Sequence, residues 1–202
     1  MSKTVWDRIE QSRGRFNVLQ HPFYERWSRG ELTLDELGRY SGQYRHAVEA
    51  IATISADAAA ALPERPEVAE HAAEESAHVR LWDGFVAAVG GSSDAPATPE
   101  TEECVDAWTS ADGRLATLAR LYAIESGQPE ISRTKREGLA AFYGIECGAG
   151  DAYFRVHESR DAEHAGEARR LIEELAGPAD EDEIVAAAES AMRANWRLLD
   201  GV

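Results

Sequence analysis

The chain has 202 residues and a formal charge of −16, from 37 acidic and 21 basic side chains. That length suits one domain over residues 1–202 with ample core, and the acidic surplus excludes nucleic acid or an anionic membrane surface as the main partner. No apolar run nears the ~18 residues of a membrane span, the opening MSKTVWDRIEQSRG has no apolar signal core, and Cys104 and Cys147 lack metal spacing such as C-x2-C, so a reducing cytoplasm is the expected location.

Strand signals are nearly missing, and Ala/Leu/Glu/Arg-rich segments alternate with Gly/Pro breaks. This predicts an all-α fold of about seven helices. The first runs from Thr4 to Leu19. A short turn, Phe23 to Arg29, ends at Gly30. Thr33 and Glu36 form a capping box for the second long helix, to Leu62, with Leu37, Tyr40, Tyr44 and Val48 at helical spacing. After Pro63 and Pro66 a third runs from Glu67 to Val89, and Gly91 to Glu100 is a loop. A fourth spans Glu102 to Ser126, and a fifth starts at Pro129 and reaches Tyr143. Past Gly144, Gly148 and Gly150, a sixth covers Tyr153 to Leu175, and the last runs from Asp180 to Leu199. The expected architecture is a helical bundle, whose interior is a usual place for metal sites.

The sixth helix carries His157, Asp161 and His164, an H-x3-D-x2-H pattern. At offsets i, i+4 and i+7 the three fall within roughly 60° of arc and about 10 Å of axis, on one helix face. The third helix offers Glu74, Glu75 and His78. Glu75 and His78 have the Glu-x-x-His spacing of di-iron carboxylate bundles, whereas Glu74 and His78 share a face at i, i+4. Glu75 is the preferred ligand of the two acids. On the fourth helix Glu125 continues the apolar stripe of Leu115, Leu118 and Tyr122, where an unpaired acid is costly to bury. The expected metal ligands are therefore Glu75, His78, Glu125, His157, Asp161 and His164. Three carboxylates and three imidazoles without thiolate suit iron or manganese better than structural zinc. His46 and His71 are expected to be surface or satisfied histidines, with His71, seven residues before His78, in reserve as a ligand. Only Lys3 and Lys135 among the 21 basic residues are lysines. An amine can act as a nucleophile where a guanidinium cannot.

Four ordered motifs then carry a resemblance over nearly the whole chain. They are HPFYERW-x2-GELTLDEL-x2-Y-x2-QY at 21–44, EE-x2-H-x2-LW-x2-F at 74–85, LYAIES-x2-PEI-x2-TK-x2-GL at 121–139 and YF-x2-H-x3-D-x2-H at 153–164. The sequence resembles the heme-oxygenase-like di-iron oxidases, and especially the branch of the chlamydial protein associating with death domains. The resemblance implies a seven-helix heme-oxygenase-like (TenA-like) bundle and a self-sacrificing p-aminobenzoate synthase of folate-precursor synthesis. In that branch a di-metal centre, Fe/Fe or Fe/Mn, activates O2 with an external reductant. A tyrosine of the protein supplies the ring, matched here by Tyr24, and a lysine supplies nitrogen, matched by Lys135. Tyr40 and Tyr153 match further tyrosines near the metals. The chain departs from the pattern at Ile124, where the related protein has a tyrosine, and is shorter around Glu75–His78. Relatives pair through helices, so a homodimer is expected, and the partners are otherwise O2 and small molecules.

Three alternatives compete with this expectation. The same centre could oxidise an external amino or fatty acid. A metal-free relative on this fold, a thiaminase or a pyrroloquinoline-quinone synthase, would leave the ligand set unused, and neither cysteine is well placed as a nucleophile. An adaptor for protein helices would have no role for buried ligands.

Overall fold

The computed structural model describes residues 4–110 and 112–202; Lys3 lies outside them. Among the described residues there are nine α-helices, one 3-10 turn and no strand. They are α1 (Val5–Arg15), α2 (Pro22–Ser28), α3 (Leu34–Ala61), α4 (Pro66–Ala88), α5 (Pro99–Thr109), α6 (Arg114–Glu125), α7 (Gln128–Tyr143), α8 (Ala152–Leu175) and α9 (Glu181–Asp200).

Most termini follow from local chemistry. The expected Thr33–Glu36 capping box is present, with Thr33 Oγ1 accepting from the Glu36 N–H and the Glu36 carboxylate accepting from the Thr33 N–H. Prolines open α2, α4, α5 and α7, where their missing N–H has no partner to lose. Gly144 closes α7 in the left-handed region at φ 66°.

Two expectations about the elements are corrected. The segment expected as one helix from Glu102 to Ser126 is two, α5 and α6. Gly113 between them sits at φ 104°, which no side-chain-bearing residue adopts cheaply. The Asp112-Gly113 pair is a turn signal that outranks the helical composition around it. The Arg120 guanidinium holds the connection by donating to the Ser110 carbonyl and pairing with Asp112. The first helix stops at Arg15, short of Leu19, and a 3-10 turn (Val18–Gln20) capped by Asn17 follows. The chain thus has more helices than the seven expected, in the same all-α class.

Helices α3, α4, α6 and α8 form the centre of the bundle, with α3 on α4 and α6, and α8 on both α4 and α6. Helix α9 covers α1, α5 and α6, while α7 lies along α8 and receives α2. No helix among the described residues is long and apolar enough to cross a membrane.

Candidate metal centre

Helices α4, α6 and α8 turn their polar stripes toward one another inside the apolar core. Glu75 and His78 come from α4, Glu125 from α6, and His157, Asp161 and His164 from α8; all six are buried. Glu75 is central. Its Oε1 lies 3.0 Å from His78 Nδ1 and 3.9 Å from His164 Nδ1, and its Oε2 lies 3.7 Å from His157 Nε2. Asp161 is buried with them, and burial first, then the neighbouring Glu125 and Glu75, raises its proton affinity.

Neighbouring groups orient these side chains. The His157 Nδ1–H donates to the Tyr153 carbonyl at 2.7 Å, which leaves the Nε2 lone pair facing Glu75. His164 Nε2 lies 3.3 Å from Glu74, so its Nδ1 faces the cluster. Glu74 itself is half-exposed and bonded to Arg160 at 2.7 Å. Of the two adjacent acids, Glu75 is inside the cluster and Glu74 stands outside, against one imidazole.

The electrostatics of the cluster follow from its burial. Burial, and then the charge of neighbouring carboxylates, raises Glu125 and Asp161 well above the usual carboxylate range. Burial opposes ionisation of Glu75 as well, but the His157 and His78 imidazoles hold its carboxyl low. Burial and then His71 push His164 down to about 4, so its ring is neutral, as a ligand must be. Both carboxylate oxygens of Glu125 and of Asp161, His157 Nε2 and His164 Nδ1 make no hydrogen bond. A buried polar atom without a partner costs about 1–3 kcal/mol, and so many together in one place fit bound cations. Oxygen and imidazole donors without thiolate are the chemistry of iron and manganese.

His46 is satisfied, as expected, by the Ala95 carbonyl at 2.9 Å. His71 is not a surface histidine. It is mostly buried, its ring lies 4.0 Å from that of His164, and its Nε2 is 2.8 Å from Glu125 Oε1. Its seven-residue offset from His78 was the one sign of this in the sequence.

Beside the cluster lies an aromatic chamber around Lys135. The lysine is fully buried, and its Nζ has no hydrogen-bond partner. The ammonium nitrogen stands 4.7 Å from the ring centre of Tyr44, 5.2 Å from Phe154, 5.4 Å from Tyr24, 5.5 Å from Tyr40 and 5.6 Å from Trp82. Burial brings its pKa down to about 7. The Tyr24 and Tyr40 hydroxyls are 2.8 Å apart. Tyr153 stacks on His157 at 3.8 Å and meets Trp82 edge-on at 4.8 Å. Trp82 lies 5.0 Å from Tyr44 and 6.0 Å from Tyr40. Aromatic contacts therefore run without a gap from the cluster to Tyr24. In the sequence Tyr44 stands at the helical spacing of the second long helix, and Trp82 and Phe154 lie inside the motifs of the resemblance; none of the three is singled out there as a neighbour of Lys135. Ile124, where the resemblance places a tyrosine, is buried and lines a small separate cavity with Val18, Trp108 and Ile131.

A helical bundle that encloses a carboxylate–imidazole cluster beside such a chamber has the build of an oxidoreductase. The family model for iron-containing redox enzymes matches residues 40–196, and the chain belongs to that heme-oxygenase-like family. It is 33% identical to the 4-aminobenzoate synthase of Nitrosomonas europaea, over 97% of this chain and 88% of that one. It is 30% identical to the 4-aminobenzoate synthase of Chlamydia muridarum, over 99% and 90%. Among solved structures, a TenA homolog from Pseudomonas syringae superposes with a TM-score of 0.80 at 18% identity, covering 97% of this chain and 89% of that one, a likeness of fold alone.

Proposed function

We propose that this protein makes p-aminobenzoate from its own Tyr24, with Lys135 as the nitrogen donor, once per chain. Glu75, His78, Glu125, His157, Asp161 and His164 would hold two iron ions, or iron with manganese. When bound, the ions supply the reduction of O2 by an external reductant and the oxidising power for the tyrosine chemistry.

The product dictates what the residues must do. Its nitrogen is para to its carboxyl carbon. The lysine nitrogen must therefore bond to the Tyr24 ring carbon that carries the hydroxyl and displace that oxygen. The tyrosine Cβ must be oxidised to the carboxyl carbon with loss of the Cα–Cβ bond, and the Lys135 Nζ–Cε bond must break oxidatively to free the amine and leave Cε as an aldehyde. O2 is the oxidant for both cleavages, and the displaced ring oxygen leaves as water. A pKa near 7 makes much of the Lys135 amine neutral and nucleophilic at neutral pH. Tyr40, hydrogen-bonded to Tyr24, orients the Tyr24 phenol in the chamber. Tyr153, stacked on His157, gives the electron a path to the centre, and the chamber keeps out water.

The observation that carries this reading is the unpartnered Lys135 amine within 5.4 Å of the Tyr24 ring centre, a few side chains from a buried donor cluster. The curated relatives named 4-aminobenzoate synthase support it. The test is to load the protein with Fe(II), or Fe(II) and Mn(II), and add reductant and O2 without any substrate. Protein labelled with 13C-tyrosine should yield at most one labelled p-aminobenzoate per chain. A Tyr24→Phe variant that still yields it would end the self-sacrifice reading.

The rival, oxidation of an external substrate, has less room. The cavity that reaches the cluster, past His71 and His164, holds about 140 Å³, below the roughly 300 Å³ at which small-molecule pockets begin.

A further inference from the structure

We infer that His71 is a seventh metal-binding residue and that Glu75 is shared by both ions, so that the centre carries four imidazoles and three carboxylates. This rests on the metal centre of the proposed function and adds to its ligand set.

The geometry divides the donors into two groups with one member in common. Single donor atoms of His71, Glu75 and His164 lie within 4.8 Å of one another, and so do donor atoms of Glu75, His78 and His157. Metal–donor bonds of about 2.0–2.2 Å place two donors of one ion within about 4.4 Å of each other, so small side-chain adjustments bring each group onto an ion. Glu75 offers both oxygens. Its Oε1 lies 3.9 Å from both His71 Nε2 and His164 Nδ1, while its Oε2 faces His157. Glu125 stands beside the first group, its Oε1 2.8 Å from His71 Nε2.

His71 has two conceivable roles at that distance. It could donate a hydrogen bond that positions Glu125, or it could share an ion with it. The contact favours the second. Despite the 2.8 Å separation, neither His71 Nε2 nor either Glu125 oxygen makes a hydrogen bond. The 2.8 Å approach lacks the geometry of a hydrogen bond, which leaves both groups free to serve one cation. His164 Nδ1, unpartnered and nine-tenths buried, faces the same space. The 140 Å³ cavity opens above these two histidines through a mouth carrying Glu67, Glu70, Glu74, Glu163 and Glu167, with Arg160 beside them. A cation, or a small neutral ligand, can reach His71 by that route.

The experiment is an anaerobic Mn(II) titration of metal-stripped protein, with free Mn(II) counted by electron paramagnetic resonance. Wild type should bind two ions per chain. His71→Ala should bind one, or the second at least tenfold more weakly, and millimolar imidazole, entering through the cavity, should restore it. His71→Gln separates the two roles, since its amide can still donate to Glu125. A ligand role predicts the same weakening of the second ion. Two ions bound by His71→Gln, or by His71→Ala without imidazole, within threefold of wild-type affinity would overturn the inference and leave the metal centre standing. A wild type that binds no ion would remove both. Circular dichroism melts establish that each variant is folded, and His71→Gln carries the test should the alanine variant fail to fold.

Discussion

At Lys135, burial without an anionic partner makes folding pH-dependent in a definite direction. Its ordinary value is 10.5, and burial lowers it to about 7 in the folded protein. Between those values the unfolded chain holds the proton more often than the folded one, so stability rises with pH from about 7 to 10.5 and the full cost is present below 7. Lys135→Met should therefore raise the melting temperature at pH 6.5, by an effect on the order of a few kcal/mol, with the gain shrinking toward pH 10.5. Equal gains at both ends of that range would contradict a buried, unpaired amine. The same variant should make no p-aminobenzoate. The adjacent acids of α4 give a second contrast. Glu75→Gln should lose bound metal, whereas Glu74→Gln, altered outside the cluster, should retain both ions by elemental analysis and bind them somewhat less tightly through a freer His164.

Among the elements, α7 shows how helix packing places a functional side chain. A Cβ at Gly138 would stand 2.6 Å from Trp27 Cδ1 and 2.7 Å from its Nε1. The missing side chain lets α7 lie against α2, where the Trp27 indole donates to the Lys135 carbonyl at 3.2 Å. Gly138→Ala should cost about 1–3 kcal/mol by overpacking and, by pushing α7 outward, lower the p-aminobenzoate yield. Urea denaturation and product assay check the two halves, and an alanine variant of wild-type stability would contradict this packing. Helix α3 was legible to its capping box because the cap is a contact between residues three apart. The break between α5 and α6 was misread because composition spoke for a helix, while a single glycine at φ 104° decided the backbone.

For the molecule as a whole, the buried cluster draws its side chains from α4, α6 and α8, and α3 packs on α4 and α6 with Tyr40 and Tyr44 buried on it. An ion bound only by the folded chain stabilises it by RT ln(1 + [M]/Kd), about 4 kcal/mol at a thousandfold excess over Kd. At about 2–4 °C per kcal/mol for a chain of this size, anaerobic Mn(II) should raise the melting temperature by roughly 10 °C, and a chelator should reverse the rise. A melting temperature indifferent to both would argue against ligands on three helices.

The shared face of His157, Asp161 and His164 on α8 was readable from spacing alone, because helical periodicity fixes their relative angles. The apolar stripe under Glu125 and the all-α class follow from the same local rule. Rotation of one helix against another is not a local property. That rotation buries Glu75 and leaves Glu74 at the rim, brings His71 beside Glu125, and gathers Tyr44, Trp82 and Phe154 from three helices around one amine. The residue types and their order along each helix came from the sequence; which faces meet is settled by the packing of large side chains across helices far apart in the chain.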